Sequence, residues 1–360
     1  MANNTSSGAD DQTVRTADNI HTMEDFAAFV GLSRPTVSKF FKDPESVRAT
    51  SRLRIEAAIE ASGFTPSLLA SNLKRDRTRI LGIIVPTTID PFYMELVRCL
   101  EEIANRLGYF AFALSSNGET QLESEAISRL ESLNIAGAIV IPVGASHRGG
   151  NARLNALEKR CPVVYVDNLP YQGASLVGTD NTQSIGVMVE YLCQTGHPPC
   201  FLPMPYINQN AFDRLAAYED AMAKVREPAR ILEASDANSW DFEKYGHESA
   251  MQLSRQGMVG NTILCANDRI ALGVLLAAWE TGLSVGRGEE ADLRVAGHDD
   301  HPFSRYACPP LTTVSQDVSQ IARQAMNRLM ATLESSVEGG GCPLTGVSLL
   351  PGKLVVRDSA

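Results

Sequence analysis

Cysteine is scarce in this sequence and badly placed for cross-linking. Seven occur in 360 residues, at Cys99, Cys161, Cys193, Cys200, Cys265, Cys308 and Cys342. The number is odd, the spacings are wide and no C-x-x-C occurs, which argues against a disulfide framework or a zinc knuckle and for buried reduced thiols. No window approaches 18 consecutive apolar residues, so no membrane span is expected. The opening MANNTSSGADDQTVRTADN has neither a basic n-region nor an apolar h-region. It reads as a disordered tail (residues 1–19) without a signal peptide, and the expected location is the cytoplasm, beside the nucleoid. The phosphate-cradling loops G-x-G-x-x-G and G-x-x-x-x-G-K-[ST] are missing, as is the G-x-S-x-G elbow. No nucleophile–base pair can be nominated, so neither an enzyme nor a cofactor is expected.

What is present is an ordinary globular balance with an uneven charge. Apolar residues make up 44% and charged residues 21%, with a net charge of −10. At about 150 residues per domain the length predicts two or three domains. Residues 20–80 hold ten basic and seven acidic side chains, a local excess of +3 on an acidic remainder. A basic head on an acidic body is the layout of a polyanion-binding module joined to a larger core, although +3 alone also fits solvated helices.

The local pattern of the head is more specific. Thr22-Met-Glu-Asp25 forms a capping box ahead of a short helix with Phe26, Ala27 and Val30 on one face. Gly31-Leu-Ser33 breaks it, and Ser33 can cap a second helix, Arg34 to Phe41. Pro35 is tolerable there because the first turn has no hydrogen bond to lose. Val37, Phe40 and Phe41 turn inward, leaving Arg34, Thr36, Ser38 and Lys39 outside. A third helix from about Thr50 to Ser62 closes a small core with Ile55, Ala58 and Ile59. This is a helix-turn-helix (residues 20–66), whose second helix enters a major groove; a small structural bundle shares the pattern. Residues 67–78 read as a hinge helix and linker. Ser67–Lys74 is too short to be stable alone and fits a helix that forms on binding, with Leu73 as a minor-groove wedge beside Lys74; a plain linker is the alternative.

In the body, β-branched runs alternate with helical stretches. Strands are expected at 80–85, 109–115, 136–141, 163–166, 200–204, 229–232, 263–265 and 293–296, with helices between several of them. Such alternation predicts two parallel α/β sheets, hence two lobes with a ligand cleft at the carboxyl ends of the strands. Asp90, Phe92, Tyr93, Arg214, Asn267, Asp268 and Asp299 fall at or near those ends. Carboxylates, an amide and a guanidinium bind hydroxyls, and aromatics cover a ring face, a mix suited to a sugar or related polyol. His298-Asp-Asp-His301 has metal-ligand character, but no further histidine lies near in sequence, and no metal is expected.

The runs TMEDFAAFVGLSRPTVSKFF (22–41), SLLASNLK (67–74), RILGIIVP (79–86), PVVYVDN (162–168), VGTDN (177–181), ANDRIALG (266–273), VAGHDD (295–300) and PPLTTVSQD (309–317) resemble LacI/GalR-type transcriptional regulators, in the same order. The resemblance implies a regulator, most simply a repressor, that binds a pseudo-palindromic operator as a homodimer. It implies a periplasmic-binding-protein-like core over 79–358, with an N-lobe at about 79–195 and 312–338 and a C-lobe at about 196–308 and 342–358. It places Thr22, Ser33, Arg34, Thr36, Ser38, Lys39, Arg52, Ala70, Leu73 and Lys74 at the DNA. Asp180, Arg214, Asn267, Asp299 and Gln316 take effector-contacting places beside Asp90, Phe92 and Tyr93, with Trp240 or Phe242 as the stacking ring. The effector is expected to be a sugar or derivative, alternatively a purine. Two departures stand out. Arg48 replaces the usual serine or threonine, and Pro35 replaces a base-reading polar residue, so reading rests on Arg34 and Lys39 and a guanine is expected opposite Arg34. No heptad segment ends the chain, so no coiled-coil tetramer is expected.

Overall fold

A computed structural model of the chain describes residues 20–65, 78–144, 152–171, 173–233, 240–257, 261–288, 290–335 and 346–360. The expected tail 1–19 and nearly all of the 67–78 segment, including Ala70, Leu73 and Lys74, lie outside the described residues. The chain divides into two compact units, Met1–Thr78 and Arg79–Ala360.

The first unit is a three-helix head of α1 (Met23–Val30), α2 (Arg34–Lys42) and α3 (Ala49–Ser62), with a 3-10 turn at Pro44–Ser46. The capping box is made at both ends: Thr22 Oγ1 accepts from the Asp25 amide at 3.1 Å, and the Asp25 carboxylate accepts from the Thr22 amide at 3.2 Å. Gly31 ends α1 in the left-handed region, φ 68°, and the Arg54 guanidinium caps the Val30 carbonyl at 2.6 Å. Ser33 begins α2 without donating or accepting a cap bond to the backbone; its hydroxyl pairs instead with Thr36 Oγ1 at 2.8 Å. Arg48 likewise begins α3 without a side-chain cap. Phe26, Val37 and Ile55, one from each helix, are fully buried. Phe26 stacks on Phe64 with ring centroids 4.4 Å apart, and burying one such ring stabilises the head by about 2 kcal/mol.

The second unit has two lobes. In chain order the elements are β1 (Ile80–Val85), α4 (Pro91–Arg106), β2 (Phe110–Ser115), α5 (Thr120–Ser132), β3 (Gly137–Val140), α6 (Ala152–Glu158), β4 (Val163–Val166), β5 (Leu176–Thr179) and α7 (Asn181–Thr195). Then follow β6 (Cys200–Leu202), α8 (Gln209–Val225), α9 (Phe242–Arg255), β7 (Thr262–Cys265), α10 (Asp268–Glu280) and β8 (Arg294–Ala296). A 3-10 turn at Ser304–Tyr306 precedes β9 (Thr313–Ser315), α11 (Val318–Ser335), β10 (Val347–Leu350) and β11 (Lys353–Val355). The first lobe carries a six-stranded parallel sheet of order β10-β5-β4-β3-β1-β2, and the second a three-stranded parallel sheet of order β6-β7-β8. Strands buried on both faces, such as β1 and β3, explain the unbroken apolar runs ILGIIV and GAIV. β9 and β11 form a separate antiparallel pair.

Three expectations are corrected. Helix α7 was assigned to the first lobe by adjacency, but Ile185, Met188, Val189 and Leu192 pack into the second lobe's core. Residues 342–358 were assigned to the second lobe; β10 instead pairs with β5 as an edge strand of the first, while Leu354 packs on the second lobe's core as expected. The strand expected at 229–232 is reduced to a bridge between Ile231 and Phe201, because only Arg230 and Leu232 reach the backbone of β6. Among the described residues, no helix is long and apolar enough to cross a membrane.

Candidate functional site

On the head, the outward face of α2 carries the expected residues. Ser33, Arg34 and Lys39 are exposed, and Thr36 and Ser38 half-buried. Arg34 is held by Glu24 at 2.5 Å, and Arg52 pairs with Glu45. Both guanidiniums are therefore balanced by exposed carboxylates, an arrangement that a polyanion can displace at small cost because exposed ion pairs are weak. Thr22, expected at the DNA, spends its hydroxyl on the α1 cap.

In the two-lobed unit, loops at the carboxyl ends of the parallel strands bring a buried charged cluster together. Arg214, in the second turn of α8, is buried and makes three kinds of bond. Its Nη2 donates to Asp299 Oδ1 at 2.9 Å, its Nη1 to the Ala266 carbonyl at 2.7 Å, and its Nε to Asn181 Oδ1 at 3.1 Å. Asp299 Oδ1 also accepts from Gln316 Nε2 at 2.7 Å and lies 2.7 Å from His298 Nδ1. Burial opposes its charge, but the Arg214 guanidinium and the His298 ring outweigh that and hold its pKa down to about 2. The backbone at Asp299 has φ 113°, a left-handed strain held in place by this network.

The first lobe contributes Tyr93 and Asp167. The Tyr93 hydroxyl donates to Asp167 Oδ2 at 3.4 Å, and Asn168 Nδ2 donates to the same oxygen at 3.2 Å. Burial pushes the Asp167 carboxyl up to about 6, against the lowering effect of Arg214. Asn168 Oδ1 accepts from the Asn210 amide of the second lobe at 3.2 Å. Phe92 packs edge-on to Tyr93 at 5.3 Å. Trp240 packs against the cores of both lobes, 6.4 Å from Tyr93 and 5.9 Å from Phe242. Asp90 caps α4 by accepting from the Phe92 amide at 3.0 Å, and its other oxygen accepts from Arg269 at 3.3 Å.

The cluster thus contains Asp90, Phe92, Tyr93, Arg214, Trp240, Asp299 and Gln316. Three expected residues have other partners. Asp180 caps α7 through the Gln183 amide at 2.9 Å, and its neighbour Asn181 makes the contact to Arg214. Asn267 is buried and caps α10 through the Ile270 amide at 2.8 Å. Phe242 is buried under the Arg269 guanidinium, 5.1 Å above its ring, so Trp240 is the ring at the lobe junction. Asp167, Asn168, Asn181 and Arg269 were missed; Asp167-Asn168 directly follows β4, and that strand-end position was the available signal. His298 and His301 take separate partners, Ser184 and Asp299 for the one and the Phe303 amide for the other. Among the described residues no group of three ligands could hold a metal ion. Asp268 accepts from the His301 amide, Ser304 and Thr313, and burial raises it to about 7.

The head's sequence matches a family model described as bacterial regulatory proteins of the lacI family, over residues 22–67. Residues 191–360 match the periplasmic binding protein-like domain. The chain joins a LacI-family helix-turn-helix domain to a periplasmic-binding-protein-like domain. Among LacI-family relatives, it is 27% identical over 342 residues to the HTH-type transcriptional repressor PurR of Glaesserella parasuis, covering 94% of this chain and 98% of the relative. It is 27% identical to the HTH-type transcriptional regulator GalR of Salmonella typhimurium, covering 93% and 94%. The fold superposes on a lac repressor dimer solved with operator and the anti-inducer ONPF, with TM-score 0.79, 24% identity and coverage of 94% and 98%.

Proposed function

We propose that this chain is a transcriptional repressor that binds a pseudo-palindromic DNA operator as a homodimer and is controlled by a small molecule in the inter-lobe cleft. The observation that carries the reading is the joining, in one chain, of a LacI-family helix-turn-helix head to a two-lobed core whose strand ends converge on Arg214, Asp299 and Tyr93. In this reading α2 lies in the major groove, Arg34 exchanges Glu24 for guanine O6 and N7, and Lys39 meets phosphate. Ala70, Leu73 and Lys74 lie at the operator centre, where Leu73 opens an easily kinked pyrimidine–purine step. The acidic and amide groups of the cleft take hydroxyls or ring nitrogens, and Tyr93 and Trp240 cover a ring face. That chemistry accepts a sugar or a purine derivative, the classes to which the names GalR and PurR point. Regulation in the cytoplasm, without catalysis, follows from the same reading.

Selection of the full chain against random duplex DNA tests it. A two-fold sequence with a guanine in each half-site is expected, bound with a steep salt dependence. Arg34→Ala is expected to cost about 1–3 kcal/mol and to relax specificity at that guanine. Selection that enriches no duplex, with or without a metabolite library, overturns the proposal.

A further inference from the structure

One buried ion pair joins the two lobes at the cleft. Arg269, at the start of α10 in the second lobe, donates through Nε and Nη2 to both oxygens of Glu243 at 2.8 and 2.6 Å. Its remaining Nη1 reaches across to Asp90 Oδ2 of the first lobe at 3.3 Å. The guanidinium is therefore aimed before it meets Asp90: Glu243 grips one edge and the Phe242 ring supports one face. Asp90 is equally fixed, since its other oxygen caps α4. Both side chains are largely buried, 8% and 15% exposed, so the pair is poorly screened by water. Beside it, Trp240 of the second lobe lies so close over Gly118 of the first that a Cβ there would come within 2.0 Å of the indole nitrogen.

We propose that Asp90 and Arg269 form an ionic latch that holds the two lobes together across the cleft, with Trp240 seated behind it, and that a ligand enters only when this pair parts. The assignment of a ligand to the cleft rests on the function proposed above; the latch itself does not. Burial of two charges costs desolvation: Glu243 and Asp90 outweigh it at Arg269, whereas Arg269 and the α4 amide recover only part of it at Asp90, whose carboxyl stays above its ordinary pKa. When the pair breaks, both charges return to water and Trp240 leaves Gly118.

The chain has two tryptophans, and Trp279 is 77% exposed, so a Trp279→Phe parent reports on Trp240 alone. Asp90→Asn keeps a cap-forming side chain and removes the charge; Arg269→Gln removes the partner. In the full-length protein without ligand, each is expected to red-shift Trp240 emission and to raise its acrylamide quenching roughly twofold. The double variant is expected to add nothing further, because both changes break one interaction. Gly118→Ala, which evicts the indole sterically, gives the signal of the displaced ring, and Arg269→Lys, which keeps the charge, is expected to stay nearer the parent. Emission and quenching of both single variants equal to the parent, with Gly118→Ala displaced, overturn the latch. Rapid mixing with sugars and purines separates the two readings. Ligands that bind parent and Asp90→Asn at equal rates overturn the latch alone. A working latch with no ligand altering Trp240 overturns the effector reading alone.

Discussion

Two carboxylates at the strand ends behave oppositely because only one is hydrogen-bonded to the Arg214 guanidinium. Asp299 meets Arg214 at 2.9 Å and stays charged. Replacing it by Asn leaves a buried guanidinium without its partner, and Asp299→Asn is expected to cost about 3 kcal/mol in urea denaturation. Asp167 has a tyrosine and an amide instead, and burial lifts it to about 6 from 3.8. Its folded value lies above its unfolded one, so its ionisation opposes folding: the penalty is absent below about pH 4, grows between pH 4 and 6, and is complete above. Asp167→Asn is therefore expected to stabilise the core at pH 7.5 by at most about 3 kcal/mol, with the gain vanishing near pH 4. Thermal melts of parent and variant across that range check it; a pH-independent difference would falsify the assignment. Neither behaviour was legible in the sequence. Asp299 could be nominated from its place after a strand, but Asp167 acquires its character from burial, to which Tyr93, 74 positions away, contributes against a lowering hydrogen bond of its own.

At the scale of elements, what was legible was local. The α1 cap, its glycine stop and the inward face of α2 depend on neighbours three or four residues apart, and each formed as expected. Thr22→Ala removes the capping box and is expected to destabilise the head by about 1 kcal/mol. Gly31→Ala forces a Cβ into the left-handed region 3.0 Å from Arg54 and is expected to cost about 1–2 kcal/mol. Both are read from the head's melting transition, and values indistinguishable from the parent would remove the account of how α1 ends. What was not legible was partnership at a distance. Asn267 reads as a cleft residue by position, and only the structure shows that its oxygen also caps the helix it precedes. Phe242 and Trp240 are two residues apart, and only packing decides that one is buried and the other stands at the junction. Strand 347–350 alternates half-buried and exposed residues, a pattern that marks an edge strand without saying whose edge.

At the scale of the whole molecule, the two-lobed α/β architecture was legible because alternating strands and helices allow few layer arrangements, whereas the lobe boundaries were not. Leu276 and Trp279 lie one turn apart on α10, 49% and 77% exposed. We infer that in the proposed homodimer a second copy covers these exposed apolar side chains. Trp279→Ala with Leu276→Ala is expected to shift the protein toward monomer in sedimentation velocity and to weaken operator binding in parallel. A variant that remains dimeric at the parent's dilution places the dimer face elsewhere.

The crossing of the chain between lobes has a consequence for its birth on the ribosome. The first sheet takes its outermost strand from 347–350, and Ile321, Ala325 and Leu329 of α11 fill the core beneath it. The second lobe's sheet is complete once residue 296 has emerged. Leu354 and Ala360, later still, pack into the second lobe's core, so neither lobe is complete before the end of synthesis and the two finish together.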